Sequence, residues 1–240
     1  MKKTLFIFGF LLLSYAQVSA VTCFELEKDK IDQVSRLETA KIRISEQENT
    51  FIDSIRTKKE ITLNTISSST LTRVNEVESI ISELEALKIS SKGIRNAINT
   101  LTIATSDYAT KTSLSLLSFD ESVERITSDR NKSIKNIVDQ YENDLLNTYE
   151  KSNIACIDAT FDENVFDTKI KSIRKRVVDS QKNTRRMTQG IDATYAKLNL
   201  ELDELDASLN KSLKSVRPTI KRELSFTEAP LSFLHLIRRL

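Results

Sequence analysis

The sequence predicts an all-α protein: an elongated antiparallel coiled-coil bundle of about three long helices. Three Gly and two Pro in 240 residues leave almost none of the punctuation that a sandwich, a barrel or an α/β domain needs at its turns. Apolar residues return at three- and four-residue steps over long stretches, the period of one helix face. Three segments, Thr22-Cys23-Phe24-Glu25, Ser118-Phe119-Asp120-Glu121 and Thr160-Phe161-Asp162-Glu163, also fit the capping box, in which a hydroxyl and the later Glu satisfy orphan amides at a helix start.

The chain divides into a signal peptide at 1–20, a helical bundle at 21–217 and an apolar tail at 218–240. Lys2 and Lys3 precede an apolar run from Leu5 to Leu13, and Val18-Ser19-Ala20 supplies small residues at cleavage spacing, as in a secretory signal. That run is short for the ~20 residues of a membrane-spanning helix. The expected product is secreted, with no transmembrane segment in the mature chain.

The first helix is expected over about 24–90, with a seam through Val74, Val77, Ile81 and Leu84 and a weak point in the Ser/Thr-rich run Thr62 to Thr72. Ser91-Lys92-Gly93 is the turn, Gly93 suiting a left-handed helix C-terminus. The second helix, 94–156, carries a seam at Ile134, Ile137, Tyr141 and Leu145 and a kink or break at Ser118. True loops at 62–72 and 118 would give four or five shorter helices instead. The third helix, 161 to about 217, has the longest seam: Ile170, Ile173, Val177, Ser180, Thr184, Met187, Ile191, Thr194, Leu198, Leu202, Leu205, Leu209, Ser212 and Val216. Two four-residue steps around Leu198 form a stutter that relaxes the supercoil, and Pro218 ends the helix.

Cysteine arithmetic supports the hairpin. An exported chain with two cysteines and no C-x-x-C favours one disulfide, within the chain or between two chains, and the midpoint between Cys23 and Cys156 falls just before Ser91. A turn there brings both cysteines to the open end. Four equal helices would hold them at opposite ends, beyond the ~7 Å reach of a disulfide.

Lys132-Ser133-Ile134-Lys135, Lys171-Ser172-Ile173-Arg174 and Lys211-Ser212-Leu213-Lys214 recur at about 40 residues, with looser relatives at Lys92 and Asp53. Eleven helical turns span about 40 residues, so the echo returns to one face. Tandem duplication and a self-matching Lys/Ser/Ile-rich composition both account for it.

Several chemistries have little support. Gly9, Gly93 and Gly190 are too scattered for a phosphate-binding loop. Glu201, Asp203, Glu204 and Asp206 cluster without the Glu-x-x-His of a di-iron bundle, and His235 stands alone. The expectation is no enzyme, no cofactor, no metal and no catalytic residue. Without Lys2 and Lys3 the chain holds 34 basic and 34 acidic residues, which argues against nucleic acid as a ligand, because duplex binding draws on a net positive face.

Two local charge features remain. Lys169, Lys171, Arg174, Lys175, Arg176, Lys182, Arg185 and Arg186 crowd one stretch against Asp179 alone. This strip either binds anionic polysaccharide or lipid headgroups or complements acidic faces such as Glu76, Glu78, Glu83 and Glu85. Lys221-Arg222 and Arg238-Arg239 bracket Glu223 to Ile237 like a peptide precursor, yet the six adjacent basic pairs beyond residue 20 barely exceed the about five expected by chance.

In the tail, Phe233, Leu236, Ile237 and Leu240 form one apolar stripe after Pro230, suited to packing on the bundle or docking on a membrane or partner. Asn131 and Asn210 open glycosylation sequons, relevant in a eukaryotic host. The expected function is that of a secreted non-enzymatic coiled-coil protein, an extracellular interaction or structural protein binding protein partners, or itself, along its helix faces. The alternative is an amphipathic-helix lipid carrier similar to exchangeable apolipoproteins. Its support is the Ser/Thr-softened core and the apolar tail, and the narrow apolar stripe weighs against it.

Overall fold

A computed structural model describes residues 22–87 and 91–225. The signal segment 1–20 and the tail stripe of Phe233, Leu236, Ile237 and Leu240, with His235, lie outside the described residues. Three helices pack against one another in an all-α bundle: α1, Leu26–Ala86; α2, Lys92–Ile157; and α3, Glu163–Ser225. Each is continuous. The Thr62–Thr72 run does not break α1, because its hydroxyls turn back onto their own helix: Thr62 Oγ1 donates to the Lys58 carbonyl at 2.8 Å and Thr72 Oγ1 to that of Ser68 at 3.0 Å. Such back-bonding satisfies the hydroxyl without a competing turn.

Ser118-Phe119-Asp120-Glu121 is likewise no cap and no break in the helix. Phe119 is buried and meets Tyr195 edge-on at 4.9 Å, while Asp120 pairs with Lys59 at 2.7 Å. Tertiary packing claims both side chains, so the local capping pattern loses.

The true helix ends differ from the expected ones in several places. At the start of α3 the cap is Asp162, whose Oδ1 accepts from the amides of Asn164 at 2.8 Å and Val165 at 3.3 Å; Thr160 instead closes the end of α2. There the Thr160 amide bonds the Ala155 carbonyl and the Ala159 amide that of Cys156, a Schellman closure with Ala159 at φ 58°, a region where a Cβ is strained. Gly93 is not a left-handed terminus. It lies in the first turn of α2, and a Cβ there would sit 2.8 Å from Glu223 Oε1. Ser91 caps this helix, its Oγ accepting from the Gly93 amide at 3.0 Å and donating to Glu223 Oε2 at 2.6 Å.

Pro218 lies within α3, which runs on to Ser225. A proline in a helix interior costs ~3 kcal/mol. Burying two large aliphatic side chains contributes roughly 1.5–3 kcal/mol each, and Ile220 and Leu224 are 0% and 6% exposed. Their burial offsets the proline, whose own ring faces solvent.

The chain forms two compact units, and every helix contributes to both. Unit 1 comprises residues 22–56 and 124–192; unit 2 comprises the described residues of 57–123 and 193–225. In unit 1, Lys41 pairs with Glu142 at 2.6 Å and Arg176 with Asp144 at 2.8 Å, so α2 runs antiparallel to α1 and α3. Its core includes Leu26, Leu37, Ile137, Tyr141, Leu145, Tyr149, Phe166, Ile170, Ile173 and Val177. Burial pushes the Tyr149 hydroxyl pKa up, and donation to Asp29 holds it there.

Unit 2 has its own core, with Val77, Ile80 and Leu84 of α1, Ile94, Ala97, Leu101 and Tyr108 of α2, and Leu209, Leu213, Val216, Ile220 and Leu224 of α3. The seam is as expected on α3 except at its end, where Leu213 replaces half-buried Ser212. The 40-residue echo has a structural counterpart: Ile55, Ile94, Ile134, Ile173 and Leu213 are all buried, so each occurrence places one aliphatic residue on the core side.

Cys23 and Cys156 form the expected disulfide, their Cα atoms 5.7 Å apart. It closes a loop with a sequence separation of 133 residues, for which loop entropy gives about 5 kcal/mol. The double variant Cys23→Ser/Cys156→Ser is therefore expected to lose roughly 2–5 kcal/mol in urea denaturation. An unchanged midpoint would contradict a constraining role.

Candidate functional site

The basic strip lies in unit 1. Phe166, Ile170, Ile173, Val177, Thr184 and Ile191 carry the buried side of α3. At about 100° per residue, Lys171, Lys175, Lys182 and Arg186 fall within an arc of about 60° on the opposite side, and all four are exposed. Lys169, Arg176 and Arg185 are exposed on the flanks, and Arg174 is half-buried. Two of the eight are ion-paired: Arg176 with Asp144, and Lys182 with Asp179 at 2.7 Å. The Lys182 ammonium, with help from Lys175, holds the Asp179 carboxyl below its usual range. Glu76, Glu78, Glu83 and Glu85 belong to unit 2, where Glu76 meets Arg73 at 3.1 Å.

The acidic cluster of α3 is also dispersed. Glu201 pairs with Lys197 at 3.4 Å, Asp206 adds to burial in pushing the Tyr108 hydroxyl pKa up, and Asp203 and Glu204 are exposed. Among the described residues no group of three His, Cys, Asp or Glu side chains is placed to hold a metal, and no helix is long and apolar enough to cross a membrane. An open polar trough is lined by Asn64, Thr65, Ser68, Ser69, Thr72, Arg73 and Glu76, all from α1.

Of the two sequons, Asn131 is exposed, whereas Asn210 is half-buried and accepts from the Arg73 guanidinium. The disulfide joins the residue before Phe24 to the one before Ile157. These two side chains are 96% and 83% exposed, so the closed end of unit 1 carries apolar surface.

Two features were not read from the sequence. The first is a buried ion pair in unit 1, Glu48 with Arg130, 6% and 7% exposed. Arg130 Nε also donates to Thr188 at 3.2 Å, and its guanidinium lies 3.8 Å from the Phe51 ring centre. Burial raises the Glu48 pKa against the pull of Arg130, and burial lowers that of Arg130 against the pull of Glu48. In both, desolvation outweighs attraction. No heptad pattern marks such a pair, since its members look like any surface charges.

The second is a charge-poor outer face in unit 2. Residues 61–72 of α1 carry no charged side chain, and residues 96–119 of α2 carry only Asp107 and Lys111, paired with each other at 3.0 Å. Ile61 and Leu71 on α1 and Ile103, Leu114 and Leu117 on α2 are 56–65% exposed there. The long uncharged runs are the signal that finds this face.

The buried pair yields a directional prediction. Glu48→Leu alone leaves Arg130 buried and unpartnered and is expected to cost ~3–5 kcal/mol, while Glu48→Leu/Arg130→Met is expected to be neutral or stabilising. The raised Glu48 pKa fixes the sign with pH. The stability it contributes is full below its ordinary value of 4.5 and is lost as pH rises through its folded value, a dependence the double variant removes. Urea melts of the three proteins across pH 4 to 8 check both points, and equal losses in the single and double variants would contradict them.

No protein-family model, no curated protein and no solved structure matches this chain.

Proposed function

We propose that the chain is a secreted, non-enzymatic helical protein that works by docking other proteins on its helix faces. The observation that carries this reading is the outer face of unit 2. Over 96–119, α2 keeps one ion pair and exposes Ile103, Leu114 and Leu117, in a chain whose residues are 29% charged. Charged residues are depleted from the centres of protein interfaces, and this stretch has that composition. The disulfide is compatible with an oxidising compartment, and the N-terminal segment supports export.

The lipid-carrier alternative draws on a different observation of unit 2. From 60 to 76 no α1 side chain is buried, and a helix held so loosely is the kind that can leave a bundle for a lipid surface.

A photo-cross-linking residue at Leu114, with the same group at exposed Lys135 as control, tests both readings in the protein's native fluid and with added neutral liposomes. Protein adducts from position 114 alone, mapping to one peptide set and abolished by Leu117→Glu, are expected. Adducts to acyl chains would favour the carrier, and equal labelling from 114 and 135 would overturn the docking face.

A further inference from the structure

We propose that the outer face of α3 in unit 1 binds a linear sulfated polysaccharide along Lys171, Lys175, Lys182 and Arg186. This site is separate from the docking face of unit 2 and does not depend on it. Residues 169–186 carry eight cations against Asp179. Lys169, Lys171, Lys175, Arg185 and Arg186 have no salt bridge among the described residues. The four on the outer face follow one another along about 22 Å of helix. A row of like charges held on a rigid rod is costly for the protein alone and is relieved by a polyanion that spans it, with release of that polymer's counterions.

Shape decides between polyanions. The cations occupy a ridge one side chain wide, about 60° of the helix surface, which suits an extended single chain better than the broad surface of a duplex. A membrane is disfavoured by what flanks the row. Surface helices anchor in lipid through an adjoining apolar face, but here that face, Phe166, Ile170, Ile173 and Val177, is buried in the unit 1 core. Thr168, Ser172, Asp179, Asn183 and Gln189 are exposed neighbours instead, with Val165 an exposed apolar side chain at the N-terminal end of the row. Unit 1 as a whole is near neutrality, so attraction is confined to this ridge and should fall steeply with salt.

The test is heparin binding by the intact disulfide-bonded protein, measured by calorimetry over a salt series. The strip variant Lys171→Gln/Lys175→Gln/Lys182→Gln/Arg186→Gln is compared with a control, Lys28→Gln/Lys132→Gln/Lys135→Gln/Lys151→Gln, which removes equal charge from exposed positions of the same unit. Circular dichroism melts confirm that both stay folded, as surface positions allow. The strip variant is expected to bind heparin at least tenfold more weakly and to lower the salt slope by about three, with less than a threefold change in the control. Equal losses in the two variants would overturn the proposal. So would strip-dependent binding to phosphatidylglycerol vesicles or duplex DNA without binding to heparin.

Discussion

A helix of 61 residues, the length of α1, owes little of its persistence to intrinsic propensity; packing of one stripe of side chains against neighbouring helices holds it. Three such stripes make this fold. Each core layer draws on every helix, as Leu84, Ile94 and Ile220 do in the unit 2 core. Loss of packing in one helix is therefore felt by the other two. The stripe also explains why single local signals fail to interrupt it. Pro218 and the Ser118–Glu121 segment sit where Ile220 and Phe119 are needed in a core, and the burial wins.

Where the stripe is polar, the packing changes character. In unit 1 the Glu48–Arg130 pair takes seam positions at a desolvation cost that aliphatic side chains would not carry, and it restricts which partner residue can lie opposite. In unit 2 the sequence of α1 from 60 to 76 offers Thr62, Leu63, Ile66 and Thr70 toward its neighbours, and all four remain half-buried. Within it, residues 61–72 carry no charge, and Glu60, Arg73 and Glu76 bound them. Low core burial and an uncharged outer surface, with Ile61 and Leu71 exposed among Asn, Ser and Thr side chains, thus coincide, which is the pattern expected where a further partner completes the packing.

Much of the fold was legible because period, cysteine spacing and scarcity of Gly and Pro are properties of the chain itself. The three helices, the α3 seam from Ile170 to Leu209 and the Cys23–Cys156 bridge follow from them. Helix ends were less legible. Ser118 and Thr160 carry valid capping patterns, but whether a hydroxyl caps depends on which amides are free. Asp162 stands two residues closer to the orphan amides of α3 than Thr160. Gly93 reads as a stop signal, yet its small size serves Glu223, a residue 130 positions away that no local rule can see. The basic strip was visible as composition, and its collection onto one outer arc needed the buried side of α3 to be known. The Glu48–Arg130 pair was not visible, since burial of a charge leaves no trace in hydropathy periodicity.

Native-state hydrogen exchange resolved by residue tests most directly whether the stripe governs stability. If it does, amides of α1 from 77 to 84, beneath Val77, Ile80 and Leu84, exchange at least tenfold more slowly than those from 62 to 72, although both segments are equally helical. Equal protection over the two segments would contradict the account, because it would mean that helix propensity, rather than burial against α2 and α3, sustains the long helices.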